Sequence, residues 1–151
     1  MNTPWDINTF WQFCFAFLAI LGFSMRSNLR GWRVLLTGLG GGICRASYLI
    51  LLHYTDSVLL SVFLAIILVC IYSEVVARLV KTPVSVFVIC VIIPLVPGRT
   101  MYHAMRAYIG SETALASSLI FETLMIAGTI SIAIAVVASG TSLVMRLKHR
   151  F

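Results

Sequence analysis

Charged residues are scarce in this sequence, and acidic residues are the scarcest. Asp, Glu, Lys and Arg together make up 11% of the 151 residues, and only 5 residues are acidic. Hydrophobic residues account for 60% of the chain, and the mean hydropathy is +1.02. A soluble domain needs more polar surface than this and rarely contains several apolar runs of about 20 residues. The composition therefore predicts an all-α, polytopic membrane protein with a single transmembrane domain over residues 1–151.

Motifs for enzymatic chemistry are also missing. The sequence shows no nucleophile–base pair, no phosphate-binding loop and no paired catalytic carboxylates, so neither an enzyme nor a cofactor is expected. The net charge of +6 does not indicate a nucleic-acid partner, because the basic residues form no stripe interleaved with aromatics. The cysteines are scattered through apolar segments without a CxxC motif, which predicts buried free thiols rather than a metal site. They are Cys14, Cys44, Cys70 and Cys90.

Five apolar runs divide the chain, at about residues 9–25, 34–52, 58–77, 84–97 and 114–145. Most of the Lys and Arg residues follow the first, third or fifth run. Cytoplasmic loops collect positive charge, so five passes are expected, with the N-terminus outside and the C-terminus in the cytoplasm. The first residues lack the basic start of a signal peptide, so the first run is expected to be retained as a span.

The fourth run is too short for a simple span. Pro83 to Val96 is only 14 residues, about 21 Å of helix against a hydrocarbon core of about 30 Å. Pro94 and Pro97 interrupt the helix and Gly98 tolerates unusual backbone angles. We expect a half-helix, a break and a second half-helix over residues 99–109. Such a break can mark a transporter's substrate site; alternatively, the span ends at Pro94 and an interfacial amphipathic helix follows.

Three ionisable residues lie inside or next to the apolar runs. Arg45 lies near the centre of the second run, where a charge is costly unless it faces the bundle interior, a cavity or a partner. It is expected to bind a substrate carboxylate or to pair with Glu122, unless the span is shifted and Arg45 extends to an interface. Glu74 lies four residues before Arg78, a spacing that predicts a modest surface ion pair.

Small residues recur at every fourth position on two of the predicted helices. Helix backbones approach closely at such ridges in lipid, so ordinary helix packing is the first interpretation of both. The Ser and Thr residues of the second ridge could also line a polar path. The ridges are Gly38, Gly42 and Ala46 with Gly40 and Gly41 beside them, and Thr123, Ala127, Ser131, Ala135 and Ser139.

Two motifs carry a resemblance to a known family. GF-x-M-x-x-N spans Gly22 to Asn28, before a glycine-rich second helix, and IIPLVPG at Ile92 to Gly98 is followed by Tyr102. The chain resembles the threonine/serine exporter family over nearly its whole length. It is most similar to the small YjjB-like subunit, which corresponds to the C-terminal membrane half of the fused exporters. The LRGWR segment after Asn28 departs from the proline-containing turn expected there.

The resemblance implies a bacterial inner-membrane exporter for small carboxylate-bearing metabolites. Members export threonine and serine, and split members export dicarboxylates such as succinate. Split forms work with a larger YjjP-like subunit, so that subunit, a homo-oligomer, or both are the expected protein partners. The motif positions that carry over to this sequence are Asn28, Pro94, Pro97, Gly98 and Tyr102.

The leading hypothesis is a secondary-transport subunit whose broken fourth helix forms part of the substrate site. The amides of residues 98–100, with Arg99 or Arg45, would hold a carboxylate. The predicted substrate-binding residues are Arg45, Pro94, Pro97, Gly98, Arg99 and Tyr102. Coupling to the proton gradient is expected, with Glu122 as the candidate proton carrier. The alternative is a structural or assembly subunit whose small-residue ridges dock a partner that carries the substrate.

Overall fold

The computed structural model describes the backbone of residues 7–27 and 29–148 and the side chains of residues 9–27 and 29–142. Asn28, a position carried over from the family motif, lies outside the described residues. Every regular element in the described part is helical, so the all-α prediction is confirmed. The elements are α1 (Ile7–Arg26), α2 (Trp32–Thr55), α3 (Val58–Leu79), α4 (Val84–Ile92), a single 3-10 turn (Ile93–Leu95), α5 (Gly98–Ile109) and α6 (Thr113–Lys148).

Helices α1, α2, α3 and α6 are each long and apolar enough to cross a membrane. A fifth crossing is formed if α4 and α5 are taken as one span, which is bent by 53° between Val84–Leu95 and Gly98–Ile109. The prediction of about five passes with a broken fourth helix is therefore confirmed. The break falls where two prolines remove backbone donors within four residues, which a continuous helix does not tolerate.

Glycines in α2 bring α1 and α2 into close contact. A Cβ atom at Gly41 would lie 2.4 Å from Ile20 Cγ1, and one at Gly42 would lie 2.5 Å from Phe13 Cε2. Gly40 faces the other way, because a Cβ there would meet Tyr72 of α3 and Val91 of α4. The packing interpretation of the first small-residue ridge is thus confirmed, and the absence of side chains lets α2 fit between its neighbours.

Helix α3 occupies the centre of the bundle, between α2, α4 and α6. Its buried residues Val62, Ile66 and Val69 belong to one apolar cluster. That cluster also takes in Val91 and Leu95 beside the break, and a buried stripe of α6. The α6 stripe consists of Ile126, Ile130, Ala133 and Val137.

The small-residue ridge of α6 lies elsewhere. Four of its five members are exposed, so the ordinary helix packing predicted for this ridge is not found among the described residues. The reason is that the neighbouring stripe carries larger apolar side chains, which bury more surface against α3. The exposed members are Ala127, Ser131, Ala135 and Ser139.

Candidate functional site

Two prolines contribute to the break in the fourth helix, each through a different local backbone structure. Pro94 lies within the 3-10 turn that follows α4, and Val96 then adopts an extended backbone. Pro97 has φ −76° and ψ 50°, close to an inverse γ-turn. The Gly98 N–H donates to the Val96 carbonyl at 2.7 Å across this turn. The chain therefore changes direction within two residues and re-enters a helix at once.

The first turn of α5 presents backbone donors beside the break. Met101 N–H donates to the Pro97 carbonyl at 3.0 Å. The N–H groups of Arg99 and Thr100 have no acceptor among the described residues, as is usual for the first residues of a helix. Free N–H groups and the positive end of the helix dipole favour an anion at this position. The Gly98 amide, which we expected to join them, is instead used by Val96.

A cavity of about 390 Å³ lies against the break. This volume falls within the range of about 300–1,000 Å³ that is usual for small-molecule sites. The cavity brings together five of the seven residues that the sequence singled out, namely Arg45, Pro94, Pro97, Arg99 and Glu122. Residues from α2, α3, the 3-10 turn, α5 and α6 contribute to its walls, and we call it the break cavity. Its other lining residues are Tyr48, Val58, Val62, Leu95, Val96, Thr100 and Ile126.

The remaining two predicted residues lie outside this lining. Gly98 is exposed, and a Cβ atom added there would meet nothing within 4 Å. Tyr102 is 65% exposed and its ring lies edge-on to His103, with the centroids 5.6 Å apart. The structure therefore gives Gly98 a backbone role in the turn and brings Tyr102 into no contact with the cavity.

Arg45 is held in place by a residue that sequence reasoning missed. Its Nε and one terminal nitrogen donate to Gln12 Oε1 at 3.0 and 2.8 Å. Its Cζ lies 5.4 Å from the centroid of the Tyr48 ring, within range of a cation–π contact. Because Gln12 is neutral, this contact orients the guanidinium without forming an ion pair. The signal in the sequence was a single glutamine within the apolar run of α1.

Glu122 makes no ion pair in the described part of the chain. The one ion pair found there joins Glu74 and Arg78 at 2.9 Å, so the predicted Arg45–Glu122 pair is not formed. Arg45 instead donates two hydrogen bonds to Gln12, because α1 packs directly against this face of α2. The break cavity is thus lined by two guanidiniums and one carboxylate that are not neutralised by each other.

A larger cavity of about 840 Å³ lies next to the break cavity and shares Arg99, Thr100 and Glu122 with it. It is formed by α5, the following turn and the first turns of α6. His103 and Arg106 line it from α5 and Glu112 lines it from the turn. We call it the hairpin cavity. It places further charged side chains beside the break cavity.

The Glu74–Arg78 pair has the predicted spacing but a different setting. The side chain of Glu74 is only 16% exposed, whereas that of Arg78 is 49% exposed. The second carboxylate oxygen of Glu74 accepts a hydrogen bond from Thr141 Oγ1 of α6 at 3.1 Å. The pair is therefore confirmed, but its carboxylate belongs to the contact between α3 and α6 and not to an open surface.

Three of the four cysteines are buried as free thiols, as predicted. Cys44, Cys70 and Cys90 are buried and Cys14 is partly exposed. In the part of the chain that the structure describes, no group of three His, Cys, Asp or Glu residues could hold a metal ion.

Broken membrane helices beside charged cavities also occur at the substrate sites of secondary transporters. The chain matches the family model described as Threonine/Serine exporter, ThrE, over residues 12–139. It belongs to this family of transporters, which confirms the resemblance found in the sequence. A search of curated proteins and of solved structures gives no match to the chain.

Proposed function

We propose that the chain is a subunit of a secondary exporter for small carboxylate-bearing metabolites. Threonine and serine, or a dicarboxylate such as succinate, are the candidate substrates. The observation that carries the proposal is the break cavity, where the N-terminus of α5 meets Arg45 and Arg99. Each of these features favours an anion, and the cavity volume suits a small molecule.

The carboxylate would bind between the two guanidiniums. Arg45 is oriented by Gln12 before any substrate arrives, so little side-chain freedom is lost on binding. Arg99 and the free amides at the start of α5 would supply the remaining donors. Arginine suits this task because its planar donors match the two oxygens of a carboxylate.

The exporter would work in the bacterial inner membrane with its N-terminus outside and its C-terminus in the cytoplasm. We propose that it uses the proton-motive force and that it assembles with the larger YjjP-like subunit, with further copies of itself, or with both. The exposed small-residue ridge of α6 supports assembly, because such ridges let transmembrane helices approach closely.

That same ridge also favours the alternative function, a structural subunit that docks a substrate-carrying partner. The two proposals differ in where the substrate binds. If the chain binds or transports substrate without another subunit, the purely structural role is excluded.

Counterflow in proteoliposomes tests the proposal directly. The full chain, with any subunit that co-purifies with it, would be reconstituted and supplied with labelled serine, threonine or succinate. Arg45→Ala removes a charge-assisted contact worth about 1.5–3 kcal/mol, so we expect apparent affinity to fall roughly 10- to 100-fold. Pro97→Ala, which removes the ring constraint at the break, is also expected to reduce transport.

Arg30→Ala is the matched control, because Arg30 is an exposed arginine in the α1–α2 turn. It should transport like the wild type. Normal transport by both the Arg45 and Pro97 variants would refute the proposed site.

A further inference from the structure

The break cavity holds charges of both signs. Arg45 lines it from α2, Arg99 from α5 and Glu122 from α6. The Glu122 carboxylate forms no ion pair within 4.0 Å among the described side chains. A site for a dicarboxylate would be expected to avoid such a carboxylate, because like charges repel and an unpaired acid near the ligand costs binding energy. A zwitterion fits both signs at once.

We propose that Glu122 binds the ammonium group of an amino-acid substrate and a proton in turn, so that one carboxylate couples the two movements. The inference rests on the proposed function, since it assigns a second role within the same cavity. The two arginines hold the substrate carboxylate, and Glu122 holds the ammonium group. A protonated Glu122 carries no negative charge that could attract the ammonium group. The proton and the ammonium group therefore cannot bind to Glu122 at the same time.

Mutual exclusion is what a proton-driven exporter requires. A proton that arrives from outside displaces the ammonium group, the substrate leaves to the outside, and the proton is carried inward on Glu122. A new substrate from the cytoplasm then displaces the proton to the inner side. The amino acid carries no net charge, so each cycle moves one positive charge inward and the membrane potential adds to the driving force.

The position of Glu122 suits access from outside. The break cavity lies in the half of the bundle that contains the α2–α3 turn, because Val58, the first residue of α3, lines it. With the expected orientation, this half faces the exterior. Glu122 also lines the hairpin cavity and is exposed, so a proton or a substrate can reach it through that cavity.

Other titratable and charged groups surround Glu122 and define the controls. Arg45 and Arg99 line the break cavity with Glu122. Tyr48 lines it as well and presents a hydroxyl. His103, Arg106 and Glu112 line only the hairpin cavity. Glu112 is therefore the matched carboxylate control, and His103 is the other group whose titration could be confused with that of Glu122.

The first measurement uses the wild-type protein in detergent and two probes. Serine carries a carboxylate, a hydroxyl and an ammonium group, whereas β-hydroxypropanoate carries the first two only. In weakly buffered solution at acidic pH, serine binding should release up to about one proton per molecule bound, because the ammonium group displaces it. β-Hydroxypropanoate binding should release no protons beyond those that its own carboxylic acid loses on binding as a carboxylate. Serine affinity should also weaken as the pH is lowered, because more Glu122 is then protonated.

The second measurement compares variants. Glu122→Gln resembles the permanently protonated state, so we expect serine affinity to fall roughly 10- to 100-fold. Its proton release should vanish, and its affinity for β-hydroxypropanoate should be maintained or rise, because a like charge is removed from the cavity. Glu112→Gln and His103→Gln should retain both the serine affinity and the proton release of the wild type.

The outcomes separate this inference from the proposed function. If Arg45→Ala weakens both probes but Glu122→Gln weakens neither, the carboxylate site stands and the role of Glu122 is refuted. Wild-type serine binding without proton release at any acidic pH would refute it too, and this result does not depend on the folding of any variant. Tighter succinate binding by Glu122→Gln, with no loss of serine affinity, would indicate a dicarboxylate site and also overturn the inference.

Discussion

Replacing Gly41 by alanine is expected to destabilise the contact between α1 and α2. The added Cβ would lie 2.4 Å from Ile20 Cγ1 and 3.0 Å from Ile20 Cβ. Ordinary contacts between carbon atoms are about 3.5–4.0 Å, so the two helices overlap by about 1 Å unless one of them moves. Ile20 is fully buried, and its branched side chain has little rotamer freedom with which to withdraw.

The magnitude follows from two opposing effects. Overpacking of this kind costs about 1–3 kcal/mol, and the size of the overlap places Gly41 towards the upper end. Alanine favours a helix over glycine by at most about 1 kcal/mol. A net loss of roughly 1–2 kcal/mol is expected. Gly128→Ala on α6 is the matched control, because its Cβ would meet nothing within 4 Å and only the favourable effect remains.

The buried cysteines provide the assay. A thiol-reactive fluorogenic dye should label Cys44, Cys70 and Cys90 only when the bundle opens, since all three are buried. A Cys14→Ser background removes the thiol that is partly exposed in the folded state. The melting temperature of Gly41→Ala should lie below that of the parent, and that of Gly128→Ala at or slightly above it. If Gly41→Ala melts as high as Gly128→Ala, the close fit between α1 and α2 is refuted.

Two further predictions use the same melting assay. Tyr72→Phe removes the hydrogen bond from the phenol to the Leu36 carbonyl, 2.8 Å long, and should cost about 1 kcal/mol; an unchanged melting temperature would contradict this contact between α3 and α2. Glu74→Leu and Thr141→Val, measured singly and together, should show a coupling energy of about 0.6 kcal/mol, the average for such contacts between membrane helices. Strictly additive effects would mean that the hydrogen bond between α3 and α6 contributes nothing to stability.

The broken helix was predictable because a proline disrupts the helical turn in which it lies. Pro94 and Pro97 each remove a backbone donor, and this effect requires no knowledge of neighbouring helices. The close packing of α2 was predictable for a related reason. Glycine has no side chain, so Gly41 and Gly42 let a neighbouring helix approach closely whatever the rotation of α2 about its axis.

Contacts between distant side chains could not be predicted in this way. Gln12 reaches Arg45 across 33 positions of sequence, and Thr141 reaches Glu74 across 67. Each contact depends on the rotation of two helices about their axes, which is set by the packing of the whole bundle. The hydropathy of an apolar run carries little information on that rotation, because nearly all of its faces are apolar.

The α6 ridge shows the same limit. Two stripes run side by side along this helix, one of small residues and one that includes Ile126 and Ile130. Either could have faced α3 from the sequence pattern alone. The structure places the larger residues inside, so the small residues are left for lipid or for a neighbouring subunit.

The length of α6 affects the surroundings of the tip of the α5–α6 hairpin. Glu122 lies in the same cavity as Val58, the first residue of α3, yet α6 begins nine residues earlier, at Thr113. At 1.5 Å per residue, the segment of α6 between Thr113 and Glu122 is about 14 Å long. With the expected orientation this segment leads towards the outside, so the tip of the α5–α6 hairpin is expected to lie among lipid headgroups and water, where His103, Arg106 and Glu112 keep their hydration. A metabolite that enters or leaves the break cavity would then pass hydrated side chains of both charge signs.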